Sequence, residues 1–220
     1  MTNIAIFVSG NGSNCENIIK HFKDNNSARV ALVVSNRADA YALTRARRLG
    51  IENIAVSRAD INNASVMLPL LESHNISFIV LAGFMQIIPD YLINKYHDKI
   101  INIHPSLLPK FGGKGMYGHH VHEAVKAAGE TVTGITIHYV NEVCDGGGII
   151  AQFKTAVNKD DTAEDIENKV HELEKQHFPS VIENIVINIT TTMAIIAPVG
   201  SVFLLLADDV ILVIVLETTL

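Results

Sequence analysis

The chain has 220 residues, enough for one well-buried domain with or without an appendage and too few for a second large domain. Its 17 Lys and Arg against 23 Asp and Glu give a formal net charge of -6, which argues against nucleic acid as its main partner. Cys15 and Cys144 lack metal-type spacing and no secretory leader precedes the first predicted strand. We therefore expect a reducing compartment, by default the cytoplasm.

The first half of the chain alternates predicted strands with predicted helices. The predicted strands are NIAIFVSG, ARVALVVSN, IENIAVS, ISFIVLAGF and IINIHP, and the helices between them include ENIIKHFKD, DAYALTRARRLG and ASVMLPLLESHN. Strands separated by helices are typical of parallel α/β sheets, which bind ligands at the carboxyl ends of their strands. We predict the α/β class, with an open, mostly parallel, Rossmann-like sheet flanked by helices.

The pattern changes after Pro109. A glycine-rich loop, FGGKGMYGHH, and a helix, VHEAVKAAG, precede TVTGITIHYV and GGGIIAQFKTAV, which we predict to be an antiparallel pair of strands. The segment TAEDIENKVHELEKQHFPSVIENIV predicts an amphipathic helix pair with Thr162 as N-cap. These elements complete a predicted catalytic domain over residues 1–187.

Residues 188–220 form an apolar tail of different composition. No charged residue occurs over 186–207, before the aspartates at 208 and 209. The favoured interpretation is two β-strands joined near Asp208 and packed on the domain or on a partner chain; a segment foreign to the fold is a second interpretation. A membrane span is disfavoured because Thr, Pro and Gly dilute the hydropathy and no basic flank is present.

The loop SGNGSN, residues 9–14, lies between the first predicted strand and helix. Its glycines permit close approach of the backbone, Ser13 offers a hydroxyl, and amides at a helix N-terminus favour a phosphate. The loop is no dinucleotide fingerprint, because a third glycine is missing and Ser35-Asn36 replaces the acidic residue after the second strand. We predict phosphate-ester binding here, with an ordinary glycine turn as the alternative.

Asn102 and His104 alternate at the end of a predicted strand, so their side chains point to one side. An Asn that holds an oxyanion and a His that moves a proton are what acyl or formyl transfer requires. Asp145, in CDGGG, would raise the pKa of His104 if placed beside it. Taken alone, the NIHP stretch is also consistent with a structural histidine, and the Asp-Gly pair with a plain turn. Their co-occurrence favours catalysis.

The stretch GHHVHEAV places His119 and His122 three residues apart at the start of a helix. A third ligand at a suitable position is missing, and His120 falls on another face of the helix. We therefore predict no metal site, and expect these histidines to be solvated or at the edge of the substrate.

The segments SGNGSN, LAGFMQI, NIHPSLLPKF and CDGGG together resemble the phosphoribosylglycinamide formyltransferase family of purine biosynthesis, over residues 1 to about 187. The resemblance implies transfer of a formyl group from 10-formyltetrahydrofolate, the co-substrate, to the amino group of glycinamide ribonucleotide. It implies that Asn102 and protonated His104 stabilise the oxyanion and shuttle protons. Asp145 would set the pKa and orientation of His104.

The resemblance also implies the substrate contacts. Glu174 would meet the glycinamide end of the ribonucleotide, and its phosphate would lie on Gly12, Ser13 and Asn14. The folate would lie against Met85, Gln86, Ile87, Ile88, Asn102 and Asn141, the last on the 141–145 loop.

Some positions depart from the family pattern. Gln86 stands where an arginine is common, and DINNAS replaces a folate-tail arginine, with Arg58 the nearest candidate. The longer FGGKGMYGHH loop leaves open whether His119 or His120 faces the substrate.

Two alternatives stay open beside the transferase: a formyltetrahydrofolate hydrolase and a non-catalytic phosphometabolite-binding module. A methionyl-tRNA formyltransferase is disfavoured, because the chain has no Arg-Gly-x-x-Pro pattern after its loop and no basic C-terminal domain. We expect a monomer or homodimer with small-molecule partners, and neither nucleic acid nor membrane.

Overall fold

The computed structural model describes residues 1–23, 25–195, 203–207 and 210–214. The strands are β1 Thr2–Val8, β2 Ala28–Ser35, β3 Asn53–Ala55, β4 Phe78–Leu81, β5 Ile100–His104, β6 Val132–Tyr139, β7 Ile149–Ala156, β8 Phe203–Ala207 and β9 Val210–Ile214. The helices are α1 Ser13–Lys23, α2 Tyr41–Arg48, α3 Arg58–Ile61, α4 Ala64–Ser73, α5 Asp90–Lys95, α6 His119–Ala127 and α7 Ala163–Ile195.

The main sheet has seven strands in the order β3-β2-β1-β4-β5-β6-β7. Strands β1 to β5 pair in parallel, and β6 and β7 are antiparallel. The predicted fold class is confirmed, including the antiparallel pair. The strand order reverses between β1 and β4, and such a switch point opens a crevice at the carboxyl ends of the strands.

The core lies on both faces of the sheet. In β1, Ile4, Ile6 and Val8 belong to the cluster that packs α1, α2 and α7, whereas Ala5 and Phe7 belong to the cluster on the opposite face. Successive side chains of a strand point to opposite faces, so a central strand covered on both sides must be apolar throughout. This explains why the strand sequences are continuous apolar runs.

Helix α7 is one continuous helix of 33 residues, so the predicted helix pair is wrong. Pro179 lies inside it and removes one backbone hydrogen bond. Three side chains around the proline, at 178, 182 and 186, are fully buried on one face, and this packing holds the helix together across it. Thr162 is confirmed as the N-cap: its Oγ1 accepts from Asp165 N at 3.1 Å, and Asp165 Oδ2 accepts from Thr162 N at 2.9 Å.

The tail contains the predicted strand pair. β8 and β9 are antiparallel, with Ala207 opposite Val210 and Phe203 opposite Ile214. Residues 196–202, 208–209 and 215–220 lie outside the described residues, as does the predicted joint at Asp208. Helix α7 passes through residue 187, and the division into a domain over 1–187 and a separate tail stays a prediction.

None of the helices in the described part of the chain combines the length and apolar character needed to span a bilayer.

Candidate active site

Asn102 and His104 lie on β5, the last parallel strand, which pairs with β6. The antiparallel register sets Asn102 opposite His138 and His104 opposite Thr136. The Nδ2 atom of Asn102 lies 3.1 Å from Nε2 of His138. His138 Nδ1 donates to the backbone oxygen of Tyr139 at 2.8 Å, so Nε2 of a neutral His138 is the acceptor that orients the Asn102 amide.

Asp145 completes the group from the loop between β6 and β7. Its Oδ2 lies 3.5 Å from His104 Nδ1, and its Oδ1 lies 3.7 Å from His138 Nε2. The N–H of Gly113 donates to Oδ2 at 2.8 Å. The structure thus brings together Asn102, His104 and Asp145, which are distant in sequence, and adds His138.

The backbone of the Asp145 loop is tightly constrained. Asp145 has a φ of 54°, a left-handed conformation that aspartate tolerates better than most residues. A Cβ on Gly147 would lie 1.8 Å from the backbone oxygen of Tyr139, so the loop can pack on the end of β6 only with glycine there. The glycines of CDGGG therefore place the carboxylate.

The electrostatics at His104 differ from the expectation. Burial lowers the pKa of His104, which is 4% exposed, and the Asp145 carboxylate and Phe111 carbonyl raise it by less. Asp145 thus raises this pKa as predicted, but the net shift is downward, because the loss of hydration outweighs one carboxylate 3.5 Å away. Burial raises the pKa of Asp145, but its contacts with His138, when that ring carries a second proton, and with Gly113 and His104 keep it below the ordinary value.

Both ring nitrogens of His104 face acceptors. Nε2 donates to the backbone oxygen of Phe111 at 2.8 Å, and Nδ1 faces Asp145. A neutral imidazole carries one N–H, so only the imidazolium can donate to both. Burial and the two acceptors thus act in opposite directions on the protonation of His104.

The β1–α1 loop forms a second part of the site. Asn14 Nδ2 donates to Glu174 Oε2 at 2.9 Å, which links the first turn of α1 to α7. Glu174 is 7% exposed, and burial raises its pKa against the opposing effect of Asn14. A cavity of about 340 Å³ is lined by both residues and by Asn11, Ser13, Glu16, Asn17, Lys20, Arg45, His171, Glu172 and Lys175.

The predicted folate segment follows β4. Leu81 of β4 is paired with Asn102 of β5, so residues 82–88 leave the sheet beside Asn102. Ser9 Oγ accepts from Met85 N at 2.7 Å and joins this segment to the β1 loop. Met85 and Ile87 are exposed, Ile88 is buried, and the side-chain amide of Gln86 is buried without a partner among the described residues.

Asn141 lies in the loop that carries Asp145. Its Oδ1 accepts from Val143 N at 3.0 Å, and its Nδ2 donates to the backbone oxygen of Gly146 at 3.4 Å. The side chain therefore braces the loop beside Asp145.

Comparison with known proteins decides the family. A family model described as formyl transferase matches residues 2–182. A phosphoribosylglycinamide formyltransferase of Bacillus subtilis (strain 168) is 40% identical over 190 residues, which cover 84% of this chain and 95% of the relative. The chain belongs to the phosphoribosylglycinamide formyltransferase family.

Further members of this formyltransferase family are also similar to the chain. The enzyme of that name from Haemophilus influenzae is 37% identical over 188 residues, covering 83% of this chain and 86% of the relative. The crystal structure of the Anaplasma phagocytophilum enzyme matches with a TM-score of 0.78 at 34% identity, covering 84% of this chain and 86% of that one. These relatives support the transferase over the hydrolase and the binding module.

Two histidines of α6 pair with glutamates, and the third is buried. His119 Nδ1 lies 2.6 Å from Glu167 Oε2, and His120 Nδ1 lies 3.1 Å from Glu123 Oε2. His122 is 1% exposed, and burial lowers its pKa to about 4. Across the described residues, no three or more His, Cys, Asp or Glu are grouped so as to hold a metal ion.

His138 is the site residue that the sequence analysis missed. Its signal is a histidine inside the apolar run TVTGITIHYV, where a buried polar group needs a partner. Its partner, Asn102, follows only from the β5–β6 register.

Proposed function

We propose that this chain uses Asn102, His104 and Asp145 to transfer the formyl group of 10-formyltetrahydrofolate to the amino group of glycinamide ribonucleotide. The observation that carries the proposal is the convergence of these side chains at the carboxyl end of β5. The family to which the chain belongs performs this reaction in purine biosynthesis.

The chemistry needs an oxyanion-binding group and a route for one proton. The substrate amine attacks the formyl carbon, the carbonyl oxygen becomes an oxyanion, and the bond from carbon to N10 of the folate then breaks. The amine loses one proton and N10 gains one. Asn102 Nδ2 carries two hydrogens; His138 accepts one, and the other is free to donate to the oxyanion.

His104 is the proposed proton carrier. Burial depresses its pKa, so its proton is readily released, while Asp145 stabilises the imidazolium that forms in the reaction. Nε2 of His104 donates to the backbone oxygen of Phe111. Substrate must replace that contact before His104 can act on the formyl group.

The remaining predicted residues have proposed binding roles. The ribonucleotide phosphate lies on Gly12, Ser13 and Asn14, because the amides at the start of α1 favour an anion. Glu174, joined to Asn14, meets the glycinamide end. The folate lies along the segment after β4 and the loop that carries Asp145, at Met85, Gln86, Ile87, Ile88 and Asn141.

We also propose a cytoplasmic location and a monomer or homodimer. The support for the location is that Cys15 and Cys144 are both unpaired thiols.

The test is formyl transfer by the purified full chain, with Asn102→Ala, His104→Asn and Asp145→Asn as variants and exposed His97→Ala as the matched control. We expect each site variant to lower kcat by at least about 100-fold, because each removes charge or hydrogen-bond stabilisation of the transition state. Hydrolysis of the folate without formylated product would indicate the hydrolase. Ligand binding without either reaction would indicate the binding module.

A further inference from the structure

Arg45, on α2, holds the β1–α1 loop from the side. Its Nε donates to the backbone oxygen of Asn11 at 2.9 Å, and its Nη2 donates to Asn11 Oδ1 at 3.0 Å. Its Nη1 pairs with Glu16. The guanidinium carbon lies 4.8 Å from the centre of the Tyr41 ring, so the side chain is fixed on several sides.

The same helix supports the loop through its backbone. Ala42 N donates to the oxygen of Gly10 at 3.1 Å, and a Cβ on Gly12 would lie 2.4 Å from Ala42 Cβ. Gly12, with a φ of 76°, therefore lies directly on α2. Helix α2 thus sets the path of the chain just before the first amides of α1.

The direction of the Asn11 oxygens matters for an anion. Backbone and side-chain oxygens that face a phosphate repel it, whereas N–H groups attract it. Arg45 binds both oxygens of Asn11 in a fork that a single ammonium group cannot reproduce. The loop can then direct N–H groups into the cavity while the two Asn11 oxygens remain hydrogen-bonded to the Arg45 guanidinium.

The charges that line the cavity also support a role for Arg45 in anion binding. Glu172 and the buried Glu174 line it and oppose an anion, as does Glu16. Hydrogen bonds from Lys20 and Arg45 lower the pKa of Glu16 and compensate its charge. Arg45 therefore removes two obstacles to a phosphate, the Asn11 oxygens and the Glu16 charge.

We propose that Arg45 is a positioning residue for the phosphate of the ribonucleotide substrate, acting through Asn11 and Glu16. This inference rests on the proposed function, which assigns that phosphate to Gly12, Ser13 and Asn14. It adds a residue outside the loop, on α2, on whose contacts the geometry of the anion site depends.

The experiment compares Arg45→Ala and Arg45→Lys with Arg48→Ala. Arg48 is the matched control, since it lies on the same helix and over the same Tyr41 ring but donates to the Tyr41 hydroxyl rather than to the loop. The KM for each substrate, kcat and the melting temperature are measured. Binding of ribose 5-phosphate, followed by NMR, needs no turnover.

We expect Arg45→Ala to raise the KM for glycinamide ribonucleotide by about tenfold, equivalent to about 1.4 kcal/mol. The binding of ribose 5-phosphate should weaken by a similar factor. The KM for the folate should stay within about twofold of wild type, because the contacts of Arg45 are confined to one substrate's site. Arg45→Lys should recover only part of the loss, because lysine cannot bind both Asn11 oxygens. Arg48→Ala should match wild type.

An equal effect on both substrates, full recovery with lysine, or unchanged ribose 5-phosphate binding in Arg45→Ala would overturn the inference. A wild-type chain that transfers no formyl group would instead overturn the proposed function. In that case the ribose 5-phosphate comparison between Arg45→Ala and Arg48→Ala still decides the role of Arg45.

Discussion

His138 Nε2 lies 3.1 Å from the side-chain nitrogen of Asn102, across the antiparallel pairing of β5 and β6. An asparagine amide can rotate by half a turn at little steric cost, which would exchange its donor for its acceptor. The contact with His138 selects the rotamer in which the donor is available, so the geometry of the oxyanion site depends on a residue from the neighbouring strand.

Removing this acceptor should reduce turnover. We expect His138→Leu to lower kcat by about tenfold, the equivalent of one hydrogen bond of about 1.4 kcal/mol. His138→Gln, whose side-chain oxygen can accept from Asn102, should retain more activity. Steady-state kinetics and melting curves of both variants check this; equal losses in the two would contradict a role through the Asn102 amide.

The Asp145 carboxylate raises the pKa of His104 against the larger effect of burial. We therefore expect Asp145→Asn to shift the titration of His104 to lower pH than in the wild-type chain, because the neutral amide no longer stabilises the imidazolium. An NMR titration of the imidazole signals of the ligand-free protein measures this shift. The idea fails if the His104 titration moves to higher pH or stays in place.

The buried His122 predicts a pH-dependent stability. Its pKa is about 4 in the folded chain, where Glu167 raises it and His104, His119 and His171 lower it, and 6.5 is its ordinary value. A depressed pKa means that the unfolded chain binds the proton first, so the stability contributed by neutral His122 is full above pH 6.5 and is lost as the pH falls towards 4.

Between pH 7.5 and 5, His122 should cost the wild-type chain about 2 kcal/mol of unfolding free energy. Urea unfolding at the two pH values, for wild type and His122→Gln, measures the difference. The variant should lose less stability over this range, since glutamine does not titrate. An identical loss in both proteins would show that other groups govern the acid sensitivity.

The buried side-chain amide of Gln86 lowers the stability of the fold. Both polar atoms of its side chain are buried, and neither has a partner among the described residues. A buried unpaired amide is destabilising, so Gln86→Met, of similar length, should raise the unfolding free energy by about 1 kcal/mol. If Gln86 contacts the folate, the same change should raise the KM for the folate. Denaturant unfolding and kinetics of this single variant check both effects.

Much of the fold follows from local pattern. Alternating apolar runs and helical segments predict a parallel sheet, and the strands at 132–139 and 149–156 were expected as an antiparallel pair. The predicted helix pair is wrong: Pro179 would by local rules favour a break, but buried side chains on both sides of it keep α7 continuous. A local rule thus failed where tertiary packing was stronger.

The sequence by itself determined the chemistry-bearing residues, since NIHP, CDGGG and SGNGSN name an amide, an imidazole, a carboxylate and an anion-binding turn. Only the tertiary structure decided how they act together. The β5–β6 register brings His138 to Asn102, and burial outweighs the predicted effect of Asp145, so that the net shift of the His104 pKa is downward. Both depend on which residues from distant segments meet and exclude water, and that is a property of the folded chain.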